Sequence, residues 1–158
     1  MGNICRSPTA EGVFKHLVQQ AGLSDQVFVD SAGTHDYHVG SPPDRRSQAA
    51  AHRRGYDLST LRARKFGPGD CREFDYVLVM DRGNYNRAVD SCGGASGNVR
   101  LLMEFAPRKR EREVPDPYAG GAEGFERVLD LIEEACRGLL EDVKGRLGDT
   151  NEGRTRPN

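Results

Sequence analysis

The sequence predicts a single α/β domain built on an open parallel sheet with helices on both faces. Two observations support this prediction: short apolar runs alternate with stretches of helical periodicity, and 158 residues is the length of one domain. Short apolar runs separated by helices are typical of strands that are buried on both faces of a parallel sheet. The net charge of −1, with 30% charged residues, is that of an ordinary globular protein and does not indicate a polyanion-binding one.

The predicted elements follow one another along the chain. Helical periodicity predicts helices over residues 7–22, 44–55 and 82–90, and a long one whose apolar positions run from Phe125 to Val143. Apolar runs predict strands over 27–29, 76–80 and 99–103. The domain is predicted to end at residue 147, and the polar residues 148–158 are predicted to form a disordered C-terminal tail.

The N-terminal run MGNICRSPTAE indicates an anion-binding loop that leads directly into the first helix. Gly2 and Asn3 tolerate backbone angles that other residues avoid, and Pro8 suits a first helical position with Ser7 as its cap. Backbone amides at a helix N-terminus hold phosphate, and an arginine adds a bidentate contact. The residues predicted to bind phosphate are Gly2, Asn3, Ile4, Cys5, Arg6 and Ser7.

Ligands of an open parallel sheet bind beyond the carboxyl ends of its strands. The loops 30–34 and 80–84 follow two of the predicted strands, and we expect them to meet the N-terminal loop there. His38 has no partner at a useful spacing and is expected to be a surface residue. The sequence therefore predicts one cleft around the phosphate loop.

Together with five further motifs, the N-terminal run resembles the low-molecular-weight protein tyrosine phosphatases. The motifs are DSAGT at 30–34, VGSPPD at 39–44, RAR at 62–64, MDRGN at 80–84 and DPY at 116–118. They occur in the order found in that family, and they cover roughly residues 2–145. One short motif is weak evidence, but several in the same order are specific.

The resemblance implies that a central strand and a catalytic cysteine precede the residues given. In the family, the sheet has four strands, the first of which is central, and the nucleophile stands six positions before the arginine that matches Arg6. That position would precede Met1. We therefore expect an N-terminally truncated chain whose strands beside the missing one are unpaired, and we interpret Cys5 as the family's second loop cysteine.

The activity implied by the resemblance is hydrolysis of phosphotyrosine, an aryl phosphate monoester, through a cysteinyl-phosphate intermediate. Arg6 would clamp the phosphoryl oxygens, and Asp116 would protonate the departing phenolate. Tyr37 and Tyr118 would form the walls of the slot that takes the aryl ring. Ser31 would support Asn3, and Asp81 would orient Arg6. No metal or other cofactor is expected.

Two alternatives remain open. The first is a catalytically dead pseudophosphatase that binds phosphate or phosphotyrosine. The second is an arsenate reductase, which shares the fold and the loop but needs a relay of further cysteines, and Cys92 alone is a poor relay. The four cysteines show no paired spacing, so that neither a zinc site nor a disulfide is predicted.

The predicted partners are phosphotyrosine proteins or small aryl phosphates, with inorganic phosphate as the product. No nucleic-acid partner is expected from the balanced charge. No apolar stretch approaches the roughly 18 residues that span a bilayer, and no basic segment is followed by an apolar one at the N-terminus. We therefore expect no membrane association and a cytoplasmic location.

Overall fold

Five α-helices and two strands form the part of the chain that the computed structural model describes, residues 2–94, 97–108 and 110–154. The helices are α1 (Arg6–Gln20), α2 (Arg45–Arg53), α3 (Pro68–Glu73), α4 (Arg82–Ser91) and α5 (Ala122–Arg154). The strands are β1 (Val77–Val79) and β2 (Val99–Leu101), which pair in parallel with Val77 opposite Val99. A 3₁₀ turn, Leu102–Phe105, follows β2 directly. None of these helices is both long and apolar enough to cross a membrane.

Helices cover both faces of the small sheet, as the α/β prediction requires. Val77 and Val79 point to one face, where they pack with Ala88 of α4. Leu78 points to the other face and packs against the main core. That core lies between α1 and α5, where the apolar positions of the two predicted helices meet. The predicted fold class is confirmed.

The predicted strand at residues 27–29 is wrong. Half-buried and exposed side chains alternate along this segment, but it pairs with no strand in the described residues. A cavity of about 660 Å³ separates it from β1 and is lined by apolar residues of α1 and α5. A strand needs a hydrogen-bonded neighbour, and the cavity stands where that neighbour would be.

The same cavity leaves one edge of β1 unpaired. The Val77 amide donates to the Asn98 carbonyl at 2.9 Å, so the peptide groups of Val77 and Val79 point to β2. In a parallel ladder the intervening residue points the opposite way, which turns the Leu78 peptide groups toward the cavity. Residues 27–29 and the unpaired edge of β1 thus flank one cavity, as expected for the two neighbours of a missing strand.

Other differences from the prediction concern helices and their ends. Helix α1 begins at Arg6 with Cys5 as its N-cap, so Ser7 is not the cap and Pro8 lies in the third helical position. Helix α3 was not predicted, because its six residues are too few to show periodicity. The last helix runs through residues 148–154, where a disordered tail was predicted. Residues 155–158 of that predicted tail lie outside the described residues.

Cys71 and Cys92 form a disulfide, contrary to the prediction from their spacing. They stand 21 positions apart, and no sequence pattern links them. Cys71 belongs to α3 and Cys92 caps the C-terminus of α4, so folding alone brings them together. The disulfide ties these two helices to one another.

Candidate active site

Asn3 gives the N-terminal loop its shape. Its φ of 62° lies in the left-handed region, and its side chain is hydrogen-bonded at both ends. Nδ2 donates to Ser31 Oγ at 2.9 Å, and Oδ1 accepts from the Arg64 amide at 3.1 Å. Ser31 Oγ in turn donates to the buried carboxylate of Glu11 at 2.7 Å. The loop conformation is therefore held by groups from three separate segments.

The guanidinium of Arg6 is buried and fixed at one nitrogen. Nη1 donates to Asp81 Oδ2 at 2.7 Å and to the Val114 carbonyl at 2.8 Å. Asp81 also caps α4, since its Oδ1 accepts from the Asn84 amide at 2.7 Å. Burial alone would raise the pKa of Asp81, but the Asn84 amide and the Arg6 guanidinium outweigh it and hold that pKa below its usual value. Asp81 is thus an anion that fixes Arg6.

The N-terminus of α1 is open to an anion. Cys5 is the N-cap, and its side chain makes no capping hydrogen bond to the helix. The loop also approaches its neighbours closely: a Cβ at Gly2 would lie 2.5 Å from His38 Cδ2, so a larger residue there would require the His38 ring to move. Uncapped amides at a helix start are a ready anion site.

The Cys5 thiol is neutral in this environment. Burial raises its pKa to about 11, and the negative charges of Asp44 and Asp116 add to this effect, whereas a hydrogen bond with Ser47 opposes it. A thiol with this pKa carries almost no thiolate at neutral pH.

The loop that carries Asp116 is anchored on both sides of that residue. Upstream, the Val114 amide donates to the Met80 carbonyl at 2.8 Å, and the Val114 carbonyl accepts from Arg6 Nη1. Downstream, Pro117 is buried and the Tyr118 amide donates to Asp116 Oδ1 at 3.0 Å. The Asp116 side chain itself is exposed. An exposed carboxylate on an anchored loop is available to an incoming substrate.

The two tyrosines predicted to line the slot are largely exposed. Tyr37 is 72% exposed and stacks on His35, with ring centroids 5.0 Å apart. Tyr118 is 51% exposed, and its ring centroid lies 6.5 Å from that of His38. The half-buried His38 ring therefore lies close to both Gly2 and Tyr118, a placement that its position in the sequence did not indicate.

Several residues of the site were not singled out from the sequence. They are joined to it by contacts across large sequence separations, which no local pattern reveals. Those residues are Glu11, His38, Arg46, Arg64 and Val114. Arg64 belongs to the motif RAR at 62–64. Val114 contributes only its backbone amide and carbonyl, which the residue type does not reveal.

Comparison with known proteins identifies the class. The profile of the family described as "Low molecular weight phosphotyrosine protein phosphatase" matches residues 1–148. A Synechocystis protein named for the same family is 47% identical over 145 residues, covering 90% of this chain and 92% of its own. The human low molecular weight phosphotyrosine protein phosphatase is 39% identical over 144 residues, covering 89% of this chain and 90% of its own.

Solved structures agree with this assignment. The crystal structure of a protein tyrosine phosphatase from Entamoeba histolytica superimposes with a TM-score of 0.87 at 36% identity, covering 92% of this chain and 93% of the other. The fold and the loop define a phosphate-handling α/β protein. The chain belongs to the low molecular weight phosphotyrosine protein phosphatase family.

Proposed function

We propose that the loop of residues 2–7 binds the phosphate group of phosphotyrosine, with Arg6 contacting the equatorial phosphoryl oxygens and Asp116 acting on the leaving oxygen. The observation that carries this proposal is the placement of Arg6. Its buried guanidinium is held by Asp81 and by Val114, which stands two residues before Asp116. Since both described bonds use Nη1, Nη2 and Nε are left for two phosphoryl oxygens.

The chemistry assigned to these residues follows the two steps of the family. A cysteine thiolate attacks phosphorus, the S–P bond forms, the bond to the aryl oxygen breaks, and Asp116 protonates the leaving phenolate. Water then attacks phosphorus, Asp116 accepts its proton, and the S–P bond breaks. Arg6 and the α1 amides stabilise the charge on the equatorial oxygens throughout. The products are a phenol and inorganic phosphate.

The attacking thiolate is not among the four cysteines of this sequence. Burial raises the pKa of Cys5 to about 11 and that of Cys136 to about 12, and Cys71 is bonded to Cys92. The nucleophile expected from the family stands six positions before Arg6, a position that the 158 residues do not include. The described residues are therefore assigned phosphate binding and acid catalysis, and the expected position of the nucleophile lies outside the 158 residues.

The substrate class that suits the site is an aryl phosphate. Tyr37 and Tyr118 present exposed rings on which a substrate ring can stack, and the Tyr118 ring lies 6.5 Å from that of His38, the neighbour of Gly2. Phosphotyrosine proteins and small aryl phosphates both present such a ring. The arsenate reductase alternative is disfavoured by Cys92, whose sulfur is bonded to Cys71 and is not part of a relay to the loop. The cytoplasmic location stays a prediction.

Calorimetry on the chain as given tests the phosphate site. We expect inorganic phosphate and vanadate to bind, and Arg6→Lys to weaken both by at least about tenfold, because lysine cannot form the bidentate contact. Arg45→Lys, at an exposed neighbouring position on α2, is the control and should change neither affinity. Equal binding by the wild type and Arg6→Lys would contradict the proposal.

Turnover is tested by comparing two proteins. The chain as given should not hydrolyse nitrophenyl phosphate or yield a trapped phosphocysteine. A version extended upstream by an apolar strand ending in a cysteine six positions before Arg6 should do both. Phosphocysteine trapped on Cys5 would show that the assignment of its thiol as inert is wrong.

A further inference from the structure

The side chain of Arg46, in the first turn of α2, joins three separate segments. Its Nε and Nη2 donate to Asp44 Oδ1 and Oδ2 at 3.1 and 3.0 Å. Nη2 also donates to the Tyr118 carbonyl at 2.9 Å, and Nη1 donates to the Gly120 carbonyl at 3.3 Å. Two of its acceptors thus belong to the loop that carries Asp116.

The same guanidinium lies over two aromatic rings. Its central carbon is 4.6 Å from the centroid of Phe125, a buried residue in the first turn of α5, and 5.6 Å from that of Tyr118. A planar cation between two rings fixes their relative positions and is attracted to both ring faces. Arg46 therefore connects Tyr118 to the core.

The other end of this connection is the phosphate loop. The Asp44 amide donates to the Ile4 carbonyl at 2.7 Å. The Asp44 carboxylate accepts a hydrogen bond from the Arg46 amide, which caps α2, and it also forms an ion pair with the Arg46 side chain. A continuous set of contacts thus runs from Ile4 through Asp44 and Arg46 to Tyr118.

We propose that Arg46 is a positioning residue that sets the Tyr118 ring at a fixed place relative to the phosphate loop and thereby favours aryl phosphates over inorganic phosphate. This inference rests on the proposed function, since it assigns a determinant of substrate class to the same site. Arg46 touches no phosphate oxygen in this scheme; it acts through the Tyr118 carbonyl and ring.

Arginine is required because the acceptors lie in different directions around one plane. Five N–H donors in a rigid fork reach the Asp44 carboxylate and two loop carbonyls together, while the flat face remains for stacking. The single ammonium of a lysine cannot span these acceptors and has no flat face. Arg46→Lys is therefore expected to behave like Arg46→Gln.

The test measures two affinities for each variant of the chain as given. Calorimetry with inorganic phosphate and with phenylphosphonate, an aryl analogue that is not hydrolysed, gives an aryl preference. We expect Arg46→Gln and Arg46→Lys to leave phosphate affinity within about twofold and to weaken phenylphosphonate binding by roughly three- to tenfold, the size of one aromatic contact. The exposed neighbour Arg45→Gln is the matched control and should leave both affinities unchanged.

A double-mutant cycle with Tyr118→Ala separates positioning from a general structural effect. If Arg46 acts through Tyr118, Arg46→Gln should not lower the aryl preference further once the ring is removed. Equal losses for both ligands, an unchanged preference, or additive effects in the cycle would each overturn the assignment. A wild-type chain that binds neither ligand would overturn the proposed function and this inference with it. If the wild type binds both ligands, the proposed phosphate site stands, and the variants then test the role of Arg46 alone.

Discussion

At the residue scale, the site depends on one ion pair with two functions. Asp81 holds the Arg6 guanidinium at 2.7 Å and caps α4 with its other oxygen. Arg6 is nearly inaccessible to water, so its charge needs a fixed partner. The start of α4 and the Arg6 guanidinium thus share one carboxylate, which couples the candidate site to the stability of the fold.

This pair predicts a pH dependence of stability. Because the folded-state pKa of Asp81 is below its unfolded value of about 4, its stabilisation is fully present above that pH and is lost as the pH falls through the folded pKa. Asp81→Asn should lower the free energy of unfolding by about 2 kcal/mol at pH 7, and the difference should shrink toward pH 3. Urea unfolding across this range measures it. Asp90→Asn, exposed on α4, is the control, and a difference that does not change with pH would contradict the prediction.

Asp116 gives a second prediction at this scale, for the upstream-extended protein. Phosphotyrosine has a leaving group of high pKa that needs a proton in the transition state, so Asp116→Asn should slow its hydrolysis by roughly 10²–10⁴-fold. Nitrophenyl phosphate has a better leaving group and should lose less. Steady-state rates on both substrates decide the question. Equal losses would indicate a binding or folding defect, and no loss would remove Asp116 from the mechanism.

At the element scale, the long helix α5 packs on the 3₁₀ turn after β2 through a glycine. A Cβ at Gly138 would lie 1.8 Å from the Phe105 carbonyl oxygen, which is backbone and cannot rotate away. Gly145, on the same helix, has no atom within 4 Å of such a Cβ. Close approach of α5 to the turn therefore requires glycine at one position and not at the other.

The two glycines predict opposite effects of the same substitution. Gly145→Ala should raise the free energy of unfolding by up to about 1 kcal/mol, since alanine is the better helix former. Gly138→Ala should lower it by about 1–3 kcal/mol, because the overlap with Phe105 forces α5 away from the core. Thermal or urea unfolding of both variants tests this. A stabilising Gly138→Ala would show that α5 does not pack as described.

At the scale of the whole molecule, the cavity beside β1 leaves the core open on one side of the sheet. Its 660 Å³ lie between α1, α5, β1 and the segment 26–30. The Leu78 peptide groups face it, and the Phe28 side chain across it is 78% exposed. Strand β1 is thus hydrogen-bonded on the side that faces β2 and open on the side that faces the cavity.

This asymmetry predicts uneven hydrogen exchange within one short strand. The Leu78 amide should exchange at least about tenfold faster than the Val77 and Val79 amides, which donate to β2. Native-state exchange followed by NMR measures the three amides side by side, with the β2-facing pair as an internal control. Equal protection of all three would mean that the edge is covered in solution.

The sequence by itself determined the fold class, the family and most helices, because local residue patterns indicate them. Glycine, asparagine and proline beside Arg6 mark an anion-binding helix start, and apolar periodicity marks α1 and α5. Such signals depend on residues within a few positions of one another. They need no knowledge of where distant segments lie.

Only the tertiary structure decided the pairing of segments. Residues 27–29 have a strand-like pattern but no strand partner, and Cys71 meets Cys92 only after α3 and α4 pack. The contacts of Arg46 with Tyr118 and of His38 with the loop likewise join residues far apart in the chain. Pairing across such separations is set by how the elements close around the core, and no local pattern carries that information.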